Sequence, residues 1–508
     1  MKNIRFILIA LLATISFSGC EDFIIDKPVS VLTQVDFYNT PTRINQGVLG
    51  CYAGMTRVMN DEWMYTELRS DNTCVSSTGS SSSVRQYLTS FAHFSLISSE
   101  PILQNYWYNT FQNISNVNAV LPSVVDNSFI TIESKRAQYD GELRFIRAYH
   151  YINLVNLFGD MFKITTVIGP NQAKELVRSP VSEIYNEIII PDLLKAAKNA
   201  PSAYGSNDVG RVTKWAAKSL LAKAYMMIGG SENLAKAKPL LEEVLAEPSI
   251  KLESNFANIF STLNEMNREI IFAVRYKGGS LGIGSPFWEY FAPEGSANLF
   301  LKVGSPDGDN NPTPEIRNLF SKNPQDKRTD ASYGVYTRSA TRVYPYVAKY
   351  IDPNISQALQ GENDWIVIRR ADIVLLYAEV LAQDGHFSTA NNQVNIIRSR
   401  AGLGNMAPFT SKIMALDSVY QERRLELAFE NHRWFDLLRM QKSYDDVNKP
   451  MDILKQHTFH TDSILYSSFN PIPVPDIANY VNAHLLLPIP QTEIDTNNEL
   501  VIPQNPGY

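Results

Sequence analysis

The sequence predicts a mainly α-helical protein, in which paired helices form a scaffold and a long, loop-rich half is carried on it. Three observations predict this. Ala217, Leu221, Ala224 and Ile228 recur at i, i+4, i+7 and i+11, one apolar helix face; Gly229-Gly230 stops it, and Ala237, Leu241 and Val244 resume the spacing. The same layout returns in Ala371, Leu375, Ala378 and Ala382, a turn at Gly385, and Ala390, Val394, Ile397 and Ala401. Each unit is close to the length of a tetratricopeptide repeat, and its alanines let paired helices approach closely. The third observation is the segment 247–365, rich in Gly, Pro, Asn and aromatic residues.

In chain order, Lys2 and Arg5 precede an apolar run from Phe6 to Phe17, too short to span a bilayer as a mature helix, which reads as a secretory leader over residues 1–19. Phe17-Ser18-Gly19-Cys20 has the form of a lipobox, which makes Cys20 the lipidated first residue of the mature chain. The competing reading is a simple cleavage near Ala13 or Gly19 with Cys20 incidental. Residues 21–40 read as a tether, and 20–508 as a single unit. Scaffold helices are expected over about 101–246 and 366–440, with irregular excursions at about 60–100 and 247–365. Within the scaffold, helices are expected at 132–158, 180–199 and 413–440. The first of these is apolar nearly all round and so central.

The formal net charge of −6 becomes −8 when Lys2 and Arg5 leave with the leader, and no basic cluster remains. A mildly acidic chain lacks the cationic footprint that nucleic acid requires. An exported compartment permits a disulfide between Cys51 and Cys74, and two buried thiols are the alternative.

Further segments carry a resemblance. Gly141-Glu142-Leu143-Arg144-Phe145-Ile146-Arg147-Ala148-Tyr149, Gly210-Arg211-Val212-Thr213-Lys214 and Ile368-Arg369-Arg370-Ala371-Asp372 follow the lipobox. After them come Glu422-Arg423-Arg424-Leu425-Glu426, His432-Arg433-Trp434-Phe435-Asp436, Leu487-Pro488-Ile489-Pro490 and the terminal Asn505-Pro506-Gly507-Tyr508. In this order they resemble the SusD/RagB nutrient-uptake lipoproteins of the Bacteroidetes; Asp160-Met161-Phe162 departs from a common Asp-Val-Pro. The resemblance implies a tetratricopeptide-like scaffold, an outer-membrane anchor facing the cell exterior, and a SusC-like TonB-dependent transporter barrel as partner. It also implies a glycan ligand or, in the RagB branch, a peptide, with no cofactor and no catalysis.

A flat ring stacks on the apolar face of a sugar while Asn, Asp and Arg hydrogen-bond its hydroxyls. On that ground Trp63, Tyr65, Asp71 and Asn72 from the first excursion, with the Ser-rich stretch after them, are candidate ligand residues. Arg275, Trp288, Tyr290 and Phe291 from the second join them, as a two-sided platform held out to solvent. Single aromatic residues of this kind are as often core.

Other chemistry is weakly signalled. Gly278-Gly279-Ser280-Leu281-Gly282 matches a nucleophile elbow, but Ile283-Gly284-Ser285-Pro286 breaks the helix that must follow, so a flexible loop is expected. Glu422, Glu426 and Glu430 share a helix face beside Arg423, Arg424, Arg433 and Arg439, which predicts a structural charge network. Asp307, Asp309 and Asn311 have alternate calcium-loop spacing, but Pro312 replaces the Gly and Asn318 the Glu. His457 and His460 lack a zinc context.

Overall fold

Helix α1 (Pro41–Thr66) begins the architecture, with the Thr40 hydroxyl accepting from the Arg43 amide at its N-terminus. The computed structural model describes residues 37–75, 83–126, 128–340, 342–456, 484–496 and 502–508. The expected leader, Cys20, Ser76 to Ser82, His457 and His460 lie outside the described residues. Helices α2 (Ser83–Ala92), α3 (Pro101–Val125) and α4 (Glu133–Phe158) follow, then α5 (Ile190–Asn199) after a short π-helical turn. The pairs α6 (Lys214–Ile228) with α7 (Ser231–Ala246) and α9 (Arg370–Gln383) with α10 (Phe387–Arg400) are the two expected repeats.

Their packing follows the sequence. Ala217, Leu221 and Ala224 of α6, Ala237, Leu241 and Val244 of α7, and Ala371, Leu375, Ala378 and Ala382 of α9 are all buried. Ala390, Val394 and Ile397 of α10 join them in one core that runs from Ile44 to Ile502. Gly229 and Gly385 make the turns at φ 76° and 79°, a region that costs other residues free energy. Helix α4 is buried on nearly every side and packs on α1, α3 and α5.

Two boundaries differ from expectation. The first excursion begins later, because α1 continues through Thr66, and it carries α2. The expected helix 413–440 divides into α11 (Lys412–Glu426) and α12 (Arg433–Ser443). Between them Phe429 and Asn431 hold left-handed backbone at φ 69° and 63°. That turn aims the Glu430 carboxylate at Arg369 and Lys349 and presents the Asn431 amide to Glu67.

Glu422 and Glu426 of α11, and Glu430 in the turn after it, are structural as expected, but with other partners. Arg369 donates to Glu269 (2.9 Å), Glu426 (2.6 Å) and Glu430 (2.7 Å), all fully buried. Arg328 binds Asp326, Glu422 and Glu426, and Arg400 reaches Glu269 and Glu426. Arg423 and Arg439 pair instead with Asp372, Asp436 and Glu379. Cys51 and Cys74 are not joined in a disulfide, and burial pushes the Cys51 thiol up to about 12.

Short antiparallel pairings tie the excursions to the scaffold. Strand β1 (Thr73–Cys74) joins the first excursion to β5 (Asn311–Pro312) of the second. Strand β2 (Met161–Phe162) pairs with β3 (Arg178–Ser179), and β4 (Ile270–Val274) pairs with β8 (Trp365–Arg369), which runs straight into α9. Strands β6 (Tyr333–Ser339) and β7 (Arg342–Val347) form a hairpin with Tyr336 opposite Tyr344.

Candidate ligand face

The platform expected from sequence is not held out to solvent. Trp63 is 0% exposed and Trp288 is 1% exposed. Trp63 lies in the last turn of α1, its Nε1 donates to the Asn60 carbonyl (3.0 Å), and its ring meets Phe291 edge-on at 5.2 Å. Trp288 belongs to a five-residue helix, α8 (Phe287–Phe291), rather than a loop, and packs against Leu301, Ile355 and Ala292. Tyr65 stacks on Tyr106 at 4.1 Å and donates to the Ile102 carbonyl, inside the helical core. Large rings at such positions gain more from burial than from exposure.

The polar candidates are also absorbed. The Asp71 carboxylate accepts from Arg433 Nε (2.7 Å) and Nη2 (2.9 Å) and lies 3.0 Å from Arg424. Asn72 Oδ1 accepts from Arg424 Nε at 2.8 Å. Both are clamps between the first excursion and the α11–α12 region. Arg275, partly exposed, pairs with Glu265 (2.6 Å) and Asp364 (2.5 Å); burial pushes Asp364 up to about 7 despite Arg275.

Of the eight candidates, Trp63, Tyr290 and Phe291 are brought together, and only Tyr290 among these three keeps a partly exposed ring. Helix α8 explains this. Phe287 and Phe291, four apart, face Tyr350 in the core; Trp288 faces the opposite cluster; the Glu289 carboxylate accepts from the Ser305 and Leu359 amides; Tyr290 is left at the edge.

Sequence reasoning missed an aromatic ridge packed against Trp288. Phe300 meets Tyr346 at 5.1 Å and Tyr336 at 5.6 Å, both edge-on, and Tyr336 stacks on Tyr344 at 6.0 Å. Phe300, Tyr336 and Tyr346 are half-buried. A Cβ on Gly334 would sit 2.4 Å from the Tyr346 ring, so glycine there makes room for it. The available signal was the alternation Tyr344, Pro345, Tyr346 in a strand, which places both tyrosines on one face.

Asp61 was missed as well. It is partly exposed on α1 and forms no hydrogen bond or ion pair with the described residues; burial pushes its carboxyl up to about 6. Burial, then Asp61, Asp307 and Asp309, raise the Tyr290 phenol, which stays protonated and can donate. The segment holding Asp307 and Asp309 is strapped to α8, with their amides donating to the Glu289 and Tyr290 carbonyls at 3.1 and 2.8 Å. Among the described residues no group of three His, Cys, Asp or Glu side chains is placed to hold a metal ion. Ser280 sits in an exposed turn closed by the Lys277–Ile283 bridge, and the chain continues into the Ser285–Gly361 bridge rather than a helix. The nucleophile-elbow geometry is not formed. These partly exposed rings, the Tyr290 phenol and the Asp61 carboxylate are side chains of the types that bind polyhydroxylated molecules.

Comparison with known proteins agrees with the architecture. Residues 302–508 match the family model described as "SusD family", and residues 22–226 match one described as "Starch-binding associating with outer membrane". The chain is 25% identical to SusD-like protein P25 of Formosa agariphila, over 98% of each chain. It is 23% identical to a SusD-like protein of Bacteroides ovatus, over 85% of this chain and 82% of that one. A solved laminarin binding SusD-like protein superposes with TM-score 0.73 at 24% identity, covering 93% of this chain and all of the other. Surface glycan-binding protein A from Bacteroides thetaiotaomicron, in complex with laminarihexaose, superposes with TM-score 0.73 at 20% identity, covering 92% and 99%. The two family models together span the second scaffold region, the ring-bearing hairpin and the first scaffold region as far as residue 226, and the chain belongs to the SusD-like family.

Proposed function

We propose that this protein is a cell-surface lipoprotein, anchored through Cys20, that binds a glycan and passes it to a TonB-dependent outer-membrane barrel without chemically altering it. The observation that carries the reading is the half-buried ridge of Phe300, Tyr336 and Tyr346. Rings held by their edges in a core keep one flank for stacking and lose little rotamer freedom when a sugar arrives. A solved relative that binds laminarin and another in complex with laminarihexaose support a glycan as the ligand class. The second family model's description supports an outer-membrane setting, and no helix among the described residues is long and apolar enough to cross a membrane.

The test is affinity electrophoresis and titration calorimetry against soluble β-1,3-glucan, xyloglucan, mannan and starch, with peptides as a separate arm. Retention by at least one glycan, lost in Tyr346→Ala, is expected. Binding of peptides alone would transfer the protein to a peptide-receptor role. Detergent extraction of native membranes tests the partner: a co-purifying barrel is expected, and Cys20→Ser should release the protein into the soluble fraction.

A further inference from the structure

The hairpin that carries the ridge ends in two arginines set against each other. Its register steps from Thr337 opposite Val343 to Ser339 opposite Arg342, so Arg338 is the extra residue of a β-bulge and stands, with Ser339, across from Arg342. Like charges placed opposite one another on neighbouring strands destabilise the pair, and bulges recur beside binding sites because they re-aim a side chain. Arg342 alternates along β7 with the parity of Tyr344 and Tyr346, which puts it on the ring-bearing face. Arg338 reaches the same side. A Cβ on Gly295, in the turn that follows α8, would sit 2.6 Å from Arg338 Nη1, and Tyr336, two residues before Arg338, meets Phe300 at 5.6 Å.

Both arginines are exposed, and neither forms an ion pair or hydrogen bond with the described residues. In the interior the chain satisfies its guanidinium groups with carboxylates, as at Arg328, Arg369 and Arg439. We infer that Arg338 and Arg342 recognise an oxyanion at the end of the ridge, and that the glycan bound there carries carboxylate or sulfate groups. This rests on the glycan-binding reading above and names its substrate class. The planar fork of an arginine matches two oxygens of either group, and an anion shared by the two forks relieves their mutual repulsion. The adjoining rings of the ridge stack on the apolar face of the sugar. With a formal net charge of −6 the protein as a whole repels a polyanion, so an acidic polymer is held by a local positive pair or not at all.

The experiment is affinity electrophoresis of the full-length protein in β-1,3-glucan, xyloglucan, mannan and starch, each unmodified and carboxymethylated. Polygalacturonate and a sulfated galactan are added to separate carboxylate from sulfate as the source of the anion. The expected result is that at least one acidic polymer is retained about tenfold more tightly than the best neutral one, as two charge-assisted contacts at an exposed site allow. Arg338→Gln with Arg342→Gln should bring the acidic polymer down to the neutral level or below it. Arg338→Lys with Arg342→Lys, which keeps the charge and removes the forks, should retain part of the preference. Lys195→Gln with Lys198→Gln removes the same charge from the exposed side of α5 and should leave the preference in place, which separates a local pair from net charge. High salt should narrow the preference in the parent protein. Retention of acidic polymers no tighter than neutral ones, or a preference that survives loss of both arginines, overturns the anion role while leaving glycan binding intact. Failure of every polymer, neutral and acidic, overturns the glycan reading itself, and this inference with it.

Discussion

Asp71→Asn separates a ligand residue from a clamp. By type and position Asp71 looks like a hydroxyl acceptor, but both its oxygens are committed to Arg433, with Arg424 3.0 Å away. Asp71 is 3% exposed and Arg433 6%. The substitution keeps the volume, removes the charge and turns one acceptor into a donor facing a guanidinium. Removing one partner of a buried pair costs about 3–5 kcal/mol, because the other charge stays buried and uncompensated. A surviving hydrogen bond through the Asn oxygen puts the expected loss near the lower end. Urea denaturation has slopes of about 1–3 kcal/mol/M for small proteins and steeper for longer chains, so the midpoint should fall by about 1 M or less. Tryptophan fluorescence reports it. Arg433→Met should cost a similar amount, and the double variant distinctly less than the sum. An unchanged midpoint accompanied by lost glycan retention would refute the reasoning and return Asp71 to the binding face.

The other predictions follow from the same geometry. Trp63→Ala should destabilise by about 3–5 kcal/mol, as large core truncations do, whereas Tyr346→Ala should weaken glycan retention roughly tenfold at little cost in urea midpoint, consistent with about 0.5–1.5 kcal/mol per ring contact plus lost area. Comparable stability losses for both would place the ridge in the core. Burial raises Glu62 from 4.5 to about 7, so the folded state holds its proton more tightly than the unfolded chain. That contribution is complete below about pH 4.5 and is lost as pH rises through about 7. Asp436 runs the opposite way: burial is overcome by Arg423 and Arg439, which hold it down to about 2, so its contribution is present above pH 3.8 and lost on acidification toward 2. The urea midpoint should therefore be higher at pH 5.5 than at pH 8, and Glu62→Gln should flatten that slope; a midpoint that climbs from pH 5.5 to 8 contradicts the assignment. Arg369→Met leaves Glu269, Glu426 and Glu430 without their shared cation and should abolish soluble expression, with full yield as the contrary result.

What was legible in the sequence is what has a short period. The stripes of α6, α7, α9 and α10 and the all-round burial of α4 are local patterns, and the fold kept them. Helix α1 was hidden by Gly47, Gly50 and Gly54, which argue against a helix taken alone. Two of them are required by a neighbour: a Cβ on Gly54 would sit 2.1 Å from Asn113 Oδ1, and one on Gly47 2.6 Å from Tyr38. The close crossing of α1 over α3 is a tertiary fact that no window of α1 contains. Once α1 is carried through Thr66, Trp63 belongs to its buried end, Glu62 beside it is buried as well, and Asn60 and Asp61 before them keep partial exposure. The ridge on β6 and β7 was illegible for a related reason. Phe300 reaches Tyr336 and Tyr346 only after a chain reversal that places the hairpin over α8.

The same long-range dependence governs the ligand face as a working surface. Its two excursions are joined to each other by a two-residue pairing and to the scaffold by a five-residue one, and two-stranded pairs of that size are marginal in water. Each is flanked by buried charge. Asp71, two residues before β1, is locked by Arg433, and Arg369 closes β8 while bonding Glu269, the residue before β4. Ion pairs of this kind add little net stability compared with apolar packing, but they tolerate only one register, since a shift of one residue strands a charge in the core. The scaffold thus fixes Tyr290, Phe300 and Tyr346 relative to one another through interior carboxylates that never meet a ligand. That is why the residue types that signal sugar chemistry, Asp, Asn and Arg beside aromatics, occur in this chain mostly where no sugar can reach them.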